Sequence, residues 1–191
     1  MSRLAETLEQ RRFTVEEYHR LAEAGVLAPG ERVELIRGVI REMSPKRRKH
    51  VVAGTKVLAV FFKALEGRAS VYPEAPLAFA DLDSEPEPDV VVCSNVDLES
   101  WGTPDTKPLL VVELADSSLR YDMTEKAALY AEAGIPEYWV VNLVDRMLEV
   151  HRRPRNGVYE TRLRVPCGGQ VSPEAWPDVV FDVSSFFPAE R

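Results

Sequence analysis

Two carboxylates and one amine carry the types and spacing for hydrolytic chemistry. Asp89 opens the short apolar run Val90-Val91-Val92, Glu113 closes Leu109-Leu110-Val111-Val112, and Lys126 follows thirteen residues after Glu113. Runs of four to six aliphatic and β-branched residues bounded by proline and polar residues read as strands buried on both faces. A carboxylate at the edge of each therefore sits beside the core. Two acids held close together resist joint ionisation, so such a pair shares a proton, pairs with a base or binds a divalent cation. Lys126 offers a cation as well.

The elements around these residues follow from local pattern. Beyond Glu113, Leu114-Ala115-Asp116-Ser117-Ser118 is a turn rich in capping side chains, and a helix is expected from about Asp122 to Ala133, ending at Gly134. Asp122, Lys126 and Tyr130 fall at i, i+4 and i+8 on one face of it. Such an Asp-to-Lys pair is ordinarily surface decoration stabilising by about a few tenths of a kcal/mol. Here the helix starts only a few residues past Glu113, so its first two turns pass the strand end and Lys126 can reach back. Tyr130 reads as packing against the sheet. Ahead of Asp89, the acidic, proline-rich run 81–88 is a loop that delivers it to its strand.

Earlier in the chain, residues 1–12 are polar and expected to be frayed or loosely docked. Thr14 with Glu17 forms a capping-box pattern for a first helix ending at Gly25. Residues 32–36 and 39–43 read as a hairpin turning at Gly38. Glu34 in it alternates with apolar neighbours, lying either on the solvent face, which spacing favours, or toward the carboxylates. Apolar residues at 51, 52, 57, 58, 61, 62 and 65 describe an amphipathic helix from about Arg48 to Leu65. Its first turn is basic, against the helix dipole; His50 there faces either way. Residues 69–72 and 77–80 are strand-like, 95–108 form a loop in which Trp101 is a packing plug or a stacking surface, and 138–143 form a central strand. Asn156-Gly157 marks a hairpin, and residues 179–183 with Phe186 and Phe187 form a last strand or packing segment.

With 191 residues, 45% of them hydrophobic, the chain suits a single domain, here expected to span 1–191. The absence of a long apolar segment or an apolar leader leads to the expectation of a soluble, cytoplasmic protein that does not enter a membrane. Cys93 and Cys167 lack metal-ligand spacing and read as free thiols. A net charge of −7 argues against broad electrostatic coating of nucleic acid, although 46–50 and 151–155 are basic clusters.

Taken together, Pro88-Asp89, the strand ending Val111-Val112-Glu113, the Asp122/Lys126/Tyr130 helix and Ala133-Gly134-Ile135-Pro136-Glu137-Tyr138-Trp139 resemble the bacterial Uma-type restriction endonuclease family, within the restriction-endonuclease-like or PD-(D/E)XK superfamily. The resemblance extends to Val33-Glu34-Leu35-Ile36-Arg37-Gly38 and to Ser44-Pro45 followed by His50, and so covers most of the chain. It implies an α/β (mixed α+β) fold with a central mixed β-sheet flanked by helices. It also implies Asp89 and Glu113 as ligands of Mg²⁺, with Mn²⁺ as a substitute, aided by a carbonyl near Leu114. The superfamily's usual lysine position, two residues after the acid, is Ala115 here. The resemblance puts Lys126 in that space, as a group that orients water and stabilises the transition state. Glu34 and His50 follow as a second acid near the metal and a phosphate or water contact.

The activity implied is a Mg²⁺-dependent endonuclease acting on DNA, with homodimerisation by analogy to paired active sites. Two other readings compete. One is a non-catalytic nucleic-acid-binding or regulatory module on the same fold. The other is a carboxylate-pair glycosidase, which would need an aromatic platform drawn from Trp101, Trp139 and Trp176.

Overall fold

The computed structural model describes residues 10–94, 101 and 106–189, so most of the 1–12 stretch and of the 95–108 loop lies outside the described residues. The chain divides into two compact units, 1–43 with 78–86, and 44–77 with 87–191.

In the first unit, helix α1 (Val15–Glu23) begins at the expected capping box, with Thr14 Oγ1 accepting from Glu17 N–H and the Glu17 side chain accepting from Thr14 N–H. Strands β1 (Val33–Ile36) and β2 (Val39–Glu42) form the expected antiparallel hairpin. Its turn is Arg37-Gly38, with φ of 51° and 75°, the left-handed pair a tight hairpin requires. A Cβ on Gly38 would stand 2.6 Å from Arg12 Cβ, so both dihedral and space demand glycine. Arg11 and Arg12 are docked: Arg12 donates to the Arg37 carbonyl and Arg11 pairs with Glu17 at 2.9 Å.

The second unit is built on a six-stranded sheet of order β3-β4-β5-β6-β7-β8. The strands are β3 (Ala69–Pro73), β4 (Val90–Ser94), β5 (Pro108–Ala115), β6 (Glu137–Asn142), β7 (Met147–Arg155) and β8 (Val158–Pro166). β5 and β6 are parallel and the other neighbours antiparallel, giving the mixed sheet anticipated. Central strands without polar alternation are buried on both faces, and Val90 to Cys93 and Leu110 to Val112 are fully buried. On one face helix α2 (Arg48–Ala64) sets Ala53, Val57 and Phe61 against Val90, Val92, Val112 and Trp139. Phe181, Phe186 and Phe187 complete this core; Phe61 stacks on Phe181 at 4.7 Å between ring centroids. Strands β9 (Gln170–Val171) and β10 (Phe181–Asp182) pair with each other. The β7–β8 turn uses Asn156 and Gly157, both at positive φ.

The other face meets helix α3 (119–132). Tyr130 from α3 lies 4.9 Å from Tyr138 of β6, ring to ring. This helix begins earlier than expected and is not α throughout: Leu119–Tyr121 is α, Asp122–Lys126 is a π turn, and Ala127–Glu132 is α. A π turn inserts a residue into the helical ring, which keeps side chains four apart closer to one line than an α turn does.

Residues 77–80 do not form the strand expected of them. Phe79 makes only an isolated bridge to Ser84, and Ala80–Leu82 is a 3-10 turn that reverses at Asp83, where φ is 44°. The local bond from Phe79 N–H to the Ser84 carbonyl takes the donor a ladder would use.

Candidate active site

β4 and β5 run antiparallel, so Asp89, just before β4, lies beside the end of β5. Leu114 N–H donates to Asp89 Oδ2 at 2.8 Å. Two side-chain nitrogens address the same carboxylate: Lys46 Nζ stands 3.1 Å from Oδ1 and His50 Nε2 3.3 Å from Oδ2. Burial raises the pKa of Asp89, but His50, Lys46 and the Leu114 N–H outweigh it and hold it below the ordinary aspartate value. Lys46 also reaches Glu74 at 3.0 Å.

Glu113, two residues before the end of β5, projects onto the α3 side of the sheet. Its Oε1 accepts from Lys126 Nζ at 2.8 Å and from Tyr130 O–H at 3.0 Å. All three side chains are buried, with Glu113 and Lys126 each 4% exposed. Asp122, also buried, accepts from Ser118 Oγ at 2.5 Å, and its carbonyl accepts from Tyr138 O–H at 3.1 Å. Asp122 and Lys126, both within the π turn, lie on the same buried side. Burial pushes the Glu113 pKa up to about 8; Lys126 opposes the rise, while the negative charges of Asp122 and Asp89 add to it.

Asp89, Glu113, Lys126 and His50 thus meet at one end of the sheet. Glu34 belongs to β1 of the other unit, and the solvent-facing reading of it is corrected: it is 5% exposed, with Leu35 and Ile36 buried beside it. β1 is an interior strand, bonded to β2 on one edge and to Glu85 on the other, so alternation does not create a wet face. Sequence reasoning missed Lys46, one of several equivalent residues in a basic run, and read Tyr130 as packing alone. The rest of that run diverges: Lys49 donates to the Leu143 carbonyl, while Arg47 and Arg48 are exposed at the uncapped start of α2. The second basic cluster is largely absorbed by pairing, Arg152 with Glu137 at 2.7 Å and Arg155 with Glu160 at 3.3 Å. Trp139 and Trp176 lie in the core, and Trp101 packs 4.3 Å from the Tyr72 ring.

The site's own chemistry bears on whether it suits a hard divalent cation. Its acids are carboxylates, and Asp122 and Asp89 both disfavour ionisation of Glu113, so an added cation would relieve crowded negative charge. Among the described residues no group of three or more His, Cys, Asp or Glu is arranged to hold a metal ion. Asp89 and Glu113 would offer two carboxylates, the share Mg²⁺ usually takes while keeping several waters. The donor set fits such an ion.

Residues 15–184 match the family model described as "Uma2: Putative restriction endonuclease". The chain belongs to the Uma2 family. Among solved structures, this Uma2 chain is similar to one described as a putative nuclease belonging to DUF820 from Anabaena variabilis ATCC 29413, with a TM-score of 0.73 and 15% identity over 92% of this chain and 97% of that one. That likeness is one of fold. No curated protein matches the Uma2 chain. No helix among its described residues is long and apolar enough to cross a membrane.

Proposed function

We propose that this Uma2 protein is a metal-dependent endonuclease that hydrolyses phosphodiester bonds in DNA. The observation that carries the reading is the buried Lys126–Glu113 contact of 2.8 Å at the end of β5, beside Asp89. Burying a cation and an anion costs several kcal/mol per ion and rarely stabilises a fold more than apolar packing would. Such an expense at a sheet end crowded with acids is better explained by chemistry than by stability.

Asp89 and Glu113 are the residues that would hold a Mg²⁺ or Mn²⁺ ion; when bound, the ion supplies Lewis-acid activation of water and neutralises charge on the scissile phosphate. Lys126 donates hydrogen bonds toward the attacking water and the phosphate oxygens, since an ammonium beside carboxylates stabilises developing negative charge better than it removes protons. Tyr130 O–H fixes the Glu113 carboxylate from the α3 side. His50, 3.3 Å from Asp89 Oδ2, contacts a phosphate oxygen or the leaving group. Two copies, each cutting one strand, would complete duplex cleavage.

The test is incubation of purified protein with supercoiled plasmid and single-stranded DNA, with Mg²⁺, Mn²⁺ or chelator, beside folded Glu113→Ala and Lys126→Ala variants. Metal-dependent cleavage lost in both variants supports the assignment. Cleavage undiminished in the variants, or none from the parent on either DNA, sinks it, and the latter outcome favours a non-catalytic binding module.

A further inference from the structure

Lys46 touches Asp89 and also has a second acid within reach. Its Nζ sits 3.1 Å from Asp89 Oδ1 and 3.0 Å from Glu74 Oε1. The three side chains differ in burial: Asp89 is 12% exposed, Lys46 20% and Glu74 55%. The amine thus bridges an interior carboxylate and one at the surface.

Glu74 is held in that place by an unusual backbone. It follows the last residue of β3 with φ of 49°, a left-handed conformation uncommon for a residue with a side chain. Its N–H donates to the Asp89 carbonyl at 3.2 Å. The main-chain bond that locks the turn therefore also fixes the distance between the two carboxylates that share Lys46. Glycine would adopt the same φ freely, but only an acid gives the amine a second seat.

The inference rests on the metal-dependent reading. From this arrangement we propose that Lys46 is a displaceable internal cation, which neutralises Asp89 in the metal-free protein and yields Oδ1 to the arriving divalent ion while staying paired with Glu74. Asp89 keeps its orientation throughout, because the Leu114 N–H and His50 hold Oδ2. The flexible lysine stem suits a group that must shift over a short range. Retained on Glu74 at the site's margin, the amine then offers its remaining protons to an incoming phosphate. The sequence hides this role because Lys46 is one of four consecutive basic residues.

The experiment is Mg²⁺ titration calorimetry of the metal-free full chain, as parent, Lys46→Met, Glu74→Gln and the double variant. Each is checked for an unchanged melting transition. Lysine acylation by a brief anhydride pulse is read by mass spectrometry with and without Mg²⁺ at matched ionic strength. Removal of the competing cation is expected to tighten Mg²⁺ binding roughly tenfold, the order expected when one nearby unit charge is lost. Glu74→Gln should weaken binding more in the parent than in Lys46→Met, because Glu74 draws the lysine off Asp89 in addition to acting through its own charge. Acylation of Lys46 should rise with Mg²⁺ while that of the exposed Lys56 and Lys63 stays level.

If Mg²⁺ binds the parent and Lys46→Met alike and the acylation of Lys46 does not change, the exchange is overturned and the metal-dependent reading survives. Additive effects of the two substitutions also overturn it, since a general charge field, not a shared amine, would then be at work. If the parent and all variants bind no Mg²⁺, the metal-dependent reading fails and takes the exchange with it.

Discussion

Glu113 and Glu137 stand on adjacent parallel strands, both buried, yet their surroundings differ. Glu137 accepts at Oε1 from Trp139 Nε1 and Arg152 Nε, both at 2.7 Å, and at Oε2 from Glu174 N–H at 2.7 Å. Burial raises its pKa, and each of these three donors pulls it back. Glu113 meets Lys126 and Tyr130 at a single oxygen, and two further carboxylates add to the effect of burial. An acid that serves the fold is surrounded by donors on both oxygens. Glu113 sits among competing acids, and on the proposed function a cation is wanted there.

The largest expected effects separate the two. Glu113→Gln and Lys126→Met should each lower metal-dependent cleavage by about 10²–10⁴-fold, the range for a lost acid–base or electrostatic group, with the fold retained. Glu137→Ala should do the reverse. It leaves Arg152 and two other donors without their acceptor, costing about 3–5 kcal/mol in denaturant unfolding, while cleavage per folded molecule is unchanged. Equal losses of stability at both positions would erase the distinction.

A second contrast concerns pH. The folded-state pKa of Glu113, about 8, lies above its ordinary value of 4.5. Its contribution to stability is therefore fully present below 4.5 and lost as pH rises through about 8. In metal-free protein, Glu113→Gln should flatten the decline in unfolding free energy over that window. His151 has the opposite sign. Burial, and then the charge of Arg162, depress its pKa from 6.5 to about 4, and its buried Nδ1 has no hydrogen-bond partner among the described residues. Its contribution is present above 6.5 and lost as pH falls toward 4, so His151→Phe should recover about 3 kcal/mol at pH 4 relative to pH 7. Chemical denaturation at a series of pH values measures both; an unaltered acid limb in His151→Phe would discard the second.

The sequence made this contrast only half visible. Asp89 and Glu113 stand out because each bounds an uninterrupted apolar run, and Lys126 because strand, turn and helix are too short for it to go elsewhere. The π turn at Asp122–Lys126 carries no composition signal, since it depends on how the helix must seat against Tyr138 and Glu113. Glu34 was hidden by the assumption that alternation implies a solvent face, and Lys46 by its like-charged neighbours. Residues 77–80 failed as a strand because a tight local turn captured the backbone donors first.

Tyr130 gives the smallest and most discriminating effect. Its ring packs against Tyr138 and would be explained by helix–sheet packing alone, but its hydroxyl also donates to Glu113 Oε1 at 3.0 Å. Tyr130→Phe keeps the ring and removes the bond to Glu113. On a packing role, cleavage would be unaltered. On the role argued above, the Glu113 carboxylate loses one of the donors that orient it and favour its charged form, so its ionisation becomes harder still. Cleavage should fall about tenfold near neutral pH, the equivalent of about 1.4 kcal/mol and less than a hydrogen bond to a charged group commonly supplies. The loss should shrink as pH rises and Glu113 ionises regardless. A deficit constant from pH 6 to 9 would instead place the hydroxyl's effect in geometry rather than charge.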